Sequence, residues 1–469
     1  MSKIEVNEVD KQTGSTLTIG GSGTTVQLGT GASQTGFGRT GTVDWQTSIK
    51  TSNFTASSGE GYFCNTSGGA FTLTLPSSPS AGDIVSFSDY GQTFDTNSLT
   101  VGRNGSNIAG VAEDSVIDTE GIAITLVYAD ATKGWIVTES GLQNEAPKAS
   151  FVTATGGTVA TVCTNFKVHT FTSPGTFCVS CGGNSGGSNT VDYFVVAGGG
   201  GASGDIGGGG GAGGFRLSNS TCMPGPQTSP LATPTALPVS SQAYPITVGA
   251  GGAGSPSGNA PSTASSPGSN SIFSTIVSTG GGGSSASAFC CATGPDSGNG
   301  LPGGSGGGAK RAKGHTGGTG NTPSVSPPQG NNGGSSVGTA PGPAFSAGGG
   351  GAGAAGGCGQ GGSPGPASGG GGVGSFVVSA GFAGCNGTTG PVSGARYFSG
   401  GGSGGGSSGA GDRPTSGTVG GGGGSNSGDS GPNGDPGDAN TGGGGSAGGN
   451  DSSGGTGGSG IVIIRYRFQ

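Results

Sequence analysis

Seven uninterrupted glycine runs constrain this chain more than any other feature: 198–201, 207–211, 280–283, 348–351, 369–372, 420–424 and 442–445. A run without Cβ atoms has no side chain to bury, so a conventional core cannot form around it. Collagen needs glycine at every third position, and that period is absent. A glycine loop for phosphate needs Gly-x-x-x-x-Gly-Lys-Ser/Thr and a following helix, and the chain has neither. What suits contiguous glycine is the polyproline-II backbone, with three residues per turn and no internal hydrogen bonds. Such helices can pack side by side and bond laterally through N–H and C=O. Only glycine fits where a helix is touched from every side. Gly199, Gly209, Gly282, Gly350, Gly371, Gly422 and Gly444 are the residues expected in such a packing. Ordering glycine is entropically costly, so many lateral bonds must form together. The competing reading is a flexible linker. It sits badly with the apolar strand patterns between the runs: Tyr244-Pro-Ile-Thr-Val248, Ser271–Val277 and Phe376-Val-Val378.

The glycine is unevenly placed. Residues 1–150 hold 21 of the 118 glycines, whereas 196–469 hold 90. Charge divides in the same way. Residues 1–150 carry 7 Lys/Arg and 15 Asp/Glu, net −8; residues 151–469 carry 9 and 8, net +1. An acidic front and a neutral back argue against nucleic-acid binding, which needs clustered positive charge. Two histidines leave little room for histidine-based catalysis. No apolar run of about 18 residues occurs, so no membrane insertion is expected. The first residues lack the apolar core of a signal peptide, which points to synthesis in a cytosol. Nine cysteines lie at scattered spacings. Cys178-Val-Ser-Cys181 has zinc-site spacing but no second pair in register, so no metal and no cofactor is expected.

Four stretches follow from the strand patterns. Residues 1–50 alternate in short runs (Ile4-Glu-Val6, Leu17-Thr-Ile19, Val26-Gln-Leu28) that need a partner surface. Residues 51–143 read as a compact antiparallel, sandwich-like β module, with Phe71–Leu75, Ile84–Phe87, Leu99–Val101, Ile122–Tyr128 and Trp135–Val137 as strands. The acidic residues there fall mostly at turns and read as solvated. Residues 144–165 are expected to be a linker with one short strand. Residues 166–469 form the glycine-rich domain. Val191–Val196 and Ile461–Phe468 are its strongest strands, and their pairing would pin the two ends of the glycine region together. The fold class is therefore all-β.

Several of these segments resemble known proteins. Thr72-Leu-Thr-Leu-Pro76, Ala81–Val85 and Gly134-Trp-Ile136 look like a β module of phage tail fibres. The start, Met1–Val9 with Ser15–Gly20, resembles the amino termini of marine-phage fibre proteins. Val191–Gly201, Gly210–Arg216, Thr247–Gly252 and Gly457–Tyr466 resemble the glycine-rich domains of phage tail-fibre adhesins, over about 300 residues. A similar arrangement occurs in an animal receptor-kinase family. The resemblance implies a homotrimeric, non-enzymatic fibre located in the virion and made in the host bacterial cytoplasm. Residues 1–50 would join it to phage tail or virion proteins. Loops of the glycine-rich domain would bind a host surface receptor, either a glycan or an outer-membrane protein. Candidate contact residues are Phe289, Asp296, Lys310, Arg311, His315, Phe345, Arg396, Tyr397 and Phe398, because aromatics and Arg give large, directional contacts. The alternative is a capsid or tail decoration without receptor binding. A glycan depolymerase is disfavoured by the lack of a spaced carboxylate pair in an aromatic-lined segment.

Overall fold

The computed structural model describes residues 43–142, 149–219, 228–256, 265–284, 298–311, 314–337, 345–360, 368–406, 419–422, 433–449 and 451–469. Most of the expected attachment segment 1–50 lies outside them. The chain forms two compact units, Met1–Lys148 and Ala149–Gln469.

In the first unit, β1 (Asp44–Lys50), β3 (Glu60–Cys64) and β5 (Ile84–Asp89) run parallel in one sheet. β2 (Phe54–Thr55), β4 (Phe71–Thr74) and β6 (Leu99–Gly102) run parallel in a second. The chain thus alternates between sheets, winding a short two-sided coil. The unit therefore differs from the antiparallel module expected from sequence, since its first six strands pair in parallel. Turns such as 51–53 and 65–70 step across to the facing sheet instead of folding back within one. Antiparallel pairing begins only with β7 (Ser115–Ile117), β8 (Ile122–Asp130) and β9 (Gly134–Leu142), which close the coil. Inward residues of both sheets, among them Tyr62, Leu73, Phe87, Leu99 and Trp135, make one core. Asp89 is buried among them and accepts the backbone N–H groups of Thr93, Phe94 and Gly121, which ties two turns to the sheet.

The second unit begins with β10 (Val152–Thr155), β11 (Thr158–Val162), β12 (Phe166–Phe171), β13 (Gly175–Gly182) and β14 (Thr190–Val196). β15 (Phe215–Ser218), β16 (Ala232–Thr233), β17 (Leu237–Pro238), β18 (Gln242–Thr247), β19 (Ser271–Phe273) and β20 (Ile276–Ser278) follow. Later strands are β21 (Ser336–Val337), β22 (Gly359–Gln360), β23 (Ser375–Val378), β24 (Ala395–Phe398) and β25 (Ile461–Arg467). Residues 149–165, expected as linker, instead supply β10 and β11, which pair with β13 and β12. Alternation gives β10 a face to bury through Val152 and Ala154, whereas β11 is a largely exposed edge strand held by its ladder to β12.

One sheet has the order β11-β12-β25-β14-β15-β16 and another β10-β13-β18-β19-β20. The strand β25 lies between β12 and β14, antiparallel to both, so the expected pairing of the two strong strands is present. Its register sets Asp192 opposite Arg465. Period-two alternation sends Val191, Tyr193, Val195, Val462, Ile464 and Tyr466 into a core with Phe177 and Phe273 of the second sheet. Phe194, Val196, Ile461 and Ile463 point the other way, against Val377, Phe382 and Phe398. Both faces of β14 and β25 are buried, which explains their continuous apolar runs.

The glycine runs form a lattice continuous with these strands. Gly198, Gly199 and Gly200 donate to Ser269, Gly458 and Gly211 in turn; Gly201, Ala202 and Ser203 repeat the sequence with Ser266, Gly455 and Gly208. Every third residue thus returns to the same neighbour, the signature of a three-fold helix bonded sideways. The run 207–214 is surrounded completely. Its N–H groups reach runs 347–350, 442–445 and 279–282, and its carbonyls receive from 197–203, 305–308 and 402–405. Three donor-side and three acceptor-side neighbours make six. A Cβ built on Gly199, Gly209, Gly282, Gly350, Gly371 or Gly444 would fall under 3.0 Å from a neighbouring backbone carbonyl oxygen. Gly422 is buried as well. None of these seven has a left-handed φ, so at the first six close approach, not backbone angle, demands glycine.

Candidate functional site

Within the second unit the lattice has two different ends. At one end the runs continue into strands: β14 into 197, 214 into β15, β18 into 248, 270 into β19, 374 into β23, and 460 into β25. At the other end, among the described residues, the short parallel pair β21–β22 is the one sheet, and the chain otherwise turns without strands. The turn 204–206 is there, and so are the described stubs at 256 and 265, 284 and 298, 311 and 314, 337 and 345, and 360 and 368. Residues between those stubs lie outside the described part.

Serine, not glycine, closes this end. Ser284 Oγ donates to Ser203 Oγ at 2.7 Å, and Ser265 Oγ to the Ser284 carbonyl at 2.6 Å. Ser255 Oγ accepts from Gly204 N–H at 2.6 Å. Ser346 Oγ donates to the Ile206 carbonyl at 2.6 Å and accepts from Arg311 N–H at 2.8 Å. Where a helix ends, lateral partners run out, and a short hydroxyl satisfies the backbone groups left over. Asp205 and Ile206 take left-handed backbone angles, φ +49 and +54, to make the tight return between two runs.

The sequence candidates divide between the two ends. Phe289 and Asp296 lie outside the described residues. Lys310, Arg311, His315 and Phe345 gather at the serine-closed end, but two of them are internal braces. Lys310 is buried, with its ammonium 3.9 Å from the Asp205 carboxylate. Burial pulls the Lys310 ammonium below its usual range, and Asp205 opposes that pull. Phe345 is buried against Gly406, to which its backbone is bridged. Half-buried His315 packs its ring on Gly298 and accepts Ser336 N–H at its carbonyl. Arg311 is half-buried.

Arg396, Tyr397 and Phe398 belong to the opposite, strand-bearing end. Arg396 donates through Nε to the Asn386 carbonyl at 3.0 Å and through Nη2 to the carbonyls of Cys385 and Gly387. The Tyr397 hydroxyl accepts from Val392 N–H at 3.2 Å, and Phe398 is fully buried. These residues hold the connection from β23 to β24 from beneath. The sequence reading selected them as aromatic or cationic, which are also the properties that suit a side chain for bracing. The residues it missed are the run-ending serines and Asp205. Their signal was visible, as in Gly283-Ser284, where a hydroxyl follows directly on a run, and Gly201-Ala-Ser203, where it follows one residue later.

Six cysteines are described, all free thiols. Burial, and then the nearby Asp89, pushes the Cys64 thiol up to about 12. Cys181 Sγ lies 3.3 Å from Ser150 Oγ, and that hydrogen bond lowers its pKa.

A β-sandwich extended by a laterally bonded glycine lattice defines the class of this unit. The family model described as a glycine-rich domain matches residues 170–467, and the chain belongs to that family. No curated protein matches the chain.

Proposed function

We propose that the chain is a phage fibre protein that binds a host surface receptor at the serine-closed end of its glycine lattice. The observation that carries this reading is the asymmetry of the lattice. One end is welded to strands, while the other presents one chain connection after another from a rigid base. Binding residues concentrate on loops held by a rigid scaffold. The lattice supplies that rigidity without dictating loop sequence, because its own residues are glycine. The segment 1–50 is proposed to join the virion as a homotrimer, and recognition is proposed to proceed without catalysis. The chain's own resemblance to tail-fibre adhesins supports the same reading.

Competition tests it. Purified full-length chain should block adsorption of the parent phage, and a chain with 285–297 replaced by a short Gly-Ser connection should not. Incorporation into virions without any competition by the intact chain would favour a decoration protein instead.

A further inference from the structure

The outer face of the first unit carries a row of rings that its fold does not use. Alternation on β1, β3 and β5 sends Tyr62, Cys64, Val85 and Phe87 inward. It leaves Trp45, Phe63 and Tyr90 on the opposite face. Trp45 stacks on Phe63 at 4.9 Å between centroids and 28° between planes, and Phe63 meets Tyr90 edge-on at 6.5 Å. The row crosses three successive passes of the coil, yet Trp45 is 42% and Tyr90 54% exposed. Gly61 makes this arrangement possible. It pairs directly with Trp45, and a Cβ there would strike the indole at 2.9 Å. Beside the rings the same face is small and hydroxylic. Buried Ser86 Oγ shares a hydrogen bond of 2.8 Å with the half-buried Thr125 Oγ1, and Glu139, paired with Thr125, is an exposed carboxylate beyond them.

We propose that this face binds a neutral oligosaccharide, with pyranose rings stacked along Trp45, Phe63 and Tyr90. A sugar ring offers an apolar C–H face to an aromatic ring and hydroxyls at its rim, which matches a ring row with the Thr125 hydroxyl and the Glu139 carboxylate beside it. Nucleobases stack as well, but residues 43–142 carry 3 Lys/Arg and 11 Asp/Glu, a net of −8 that repels a phosphate backbone. A second protein copy is disfavoured by size. Two half-exposed rings of about 150–250 Å² each offer a few hundred Å² at most, against about 800 Å² per partner in a stable interface. This site does not rest on the receptor reading; it requires that Trp45, although within 1–50, lie outside the part of that segment that joins the virion.

The two tryptophans make the test direct. Trp135 is fully buried, so acrylamide quenching of the full-length chain reports Trp45. Maltohexaose, cellohexaose, xylohexaose and chitohexaose serve as probes. At least one should protect Trp45 saturably at concentrations of roughly millimolar or below. Tyr90→Ala should weaken that protection about tenfold with unchanged melting, and calorimetric titration of Trp45→Ala should show a comparable loss. Absence of protection by all four sugars overturns the proposal, as does equal binding by Tyr90→Ala. So does an oligomer of the wild type that only the Trp45→Ala, Tyr90→Ala double variant dissociates, since a second copy would then cover the face.

Discussion

Gly210→Ala tests the lattice at its most enclosed run. Gly210 has no left-handed φ, so alanine is conformationally acceptable there. Its Cβ, however, would lie 2.7 Å from the carbonyl carbon of Gly200 and closer still to its oxygen. Carbon atoms in contact prefer about 3.5–4.0 Å, so the two runs must separate by roughly 1 Å. Two bonds bridge that place: Gly210 N–H to the Gly445 carbonyl at 2.9 Å, and Gly445 N–H to the Gly200 carbonyl at 3.0 Å. Overpacking costs about 1–3 kcal/mol. Each buried group left without a partner adds about 1–3 kcal/mol. Alanine returns about 0.4–1 kcal/mol by restricting the unfolded chain. With one group stranded, the net loss is about 1–5.5 kcal/mol. At about 2 °C per kcal/mol, the low end for a large unit, Tm falls by roughly 2–11 °C. Gly186→Ala is the control. It lies in the same unit, without a left-handed φ, and its nearest neighbour would be 3.4 Å away. That variant should stay within about 0.5 kcal/mol of the parent. Calorimetric melting of both full-length variants gives the answer, and equal shifts would refute close approach as the reason for glycine.

Three further outcomes follow from the second unit. His169 is buried, with Nδ1 2.7 Å from the Gly156 carbonyl and Nε2 3.1 Å from the Tyr466 hydroxyl. A carbonyl only accepts, so Nδ1 carries the proton and the neutral ring accepts from Tyr466. Burial lowers the His169 pKa, partly opposed by the Gly156 bond, with nearby Lys167 lowering it further. The unfolded chain therefore takes up the proton first, at about pH 6.5, and stability should fall as pH drops below that value. Urea midpoints at pH 7.5 and 5 should show the slope, and His169→Gln should flatten it. Asp192 and Arg465 form a buried ion pair at 2.8 Å, with the guanidinium carbon 4.9 Å from the Phe382 ring centre and 5.1 Å from that of Phe166. Asp192→Ala alone should cost about 3–5 kcal/mol, while Asp192→Leu with Arg465→Met should recover most of that in denaturant titrations. Arg396→Ala removes the donors to the carbonyls of Cys385, Asn386 and Gly387, so limited proteolysis should open the β23–β24 connection while global melting changes little.

The sequence by itself determined that the chain is all-β, that its glycine runs pack as laterally bonded helices, and that Val191–Val196 pairs with the closing strand. Each of these is a local property. Contiguous residues without Cβ atoms exclude other packings, and uninterrupted β-branched and aromatic runs need burial on both faces. Tertiary structure alone decided which run is enclosed by six others, because runs of identical glycine carry no address. Adjacency there is set by the strands that feed each run. It also decided that β1, β3 and β5 lie parallel, since a short turn reads the same whether it folds back within a sheet or crosses to the next. The same limit governs the candidate residues. Lys310, Phe345 and Arg396 have the chemistry of contact residues, and what turned them inward was a carboxylate, a glycine and three carbonyls brought in from elsewhere in the chain.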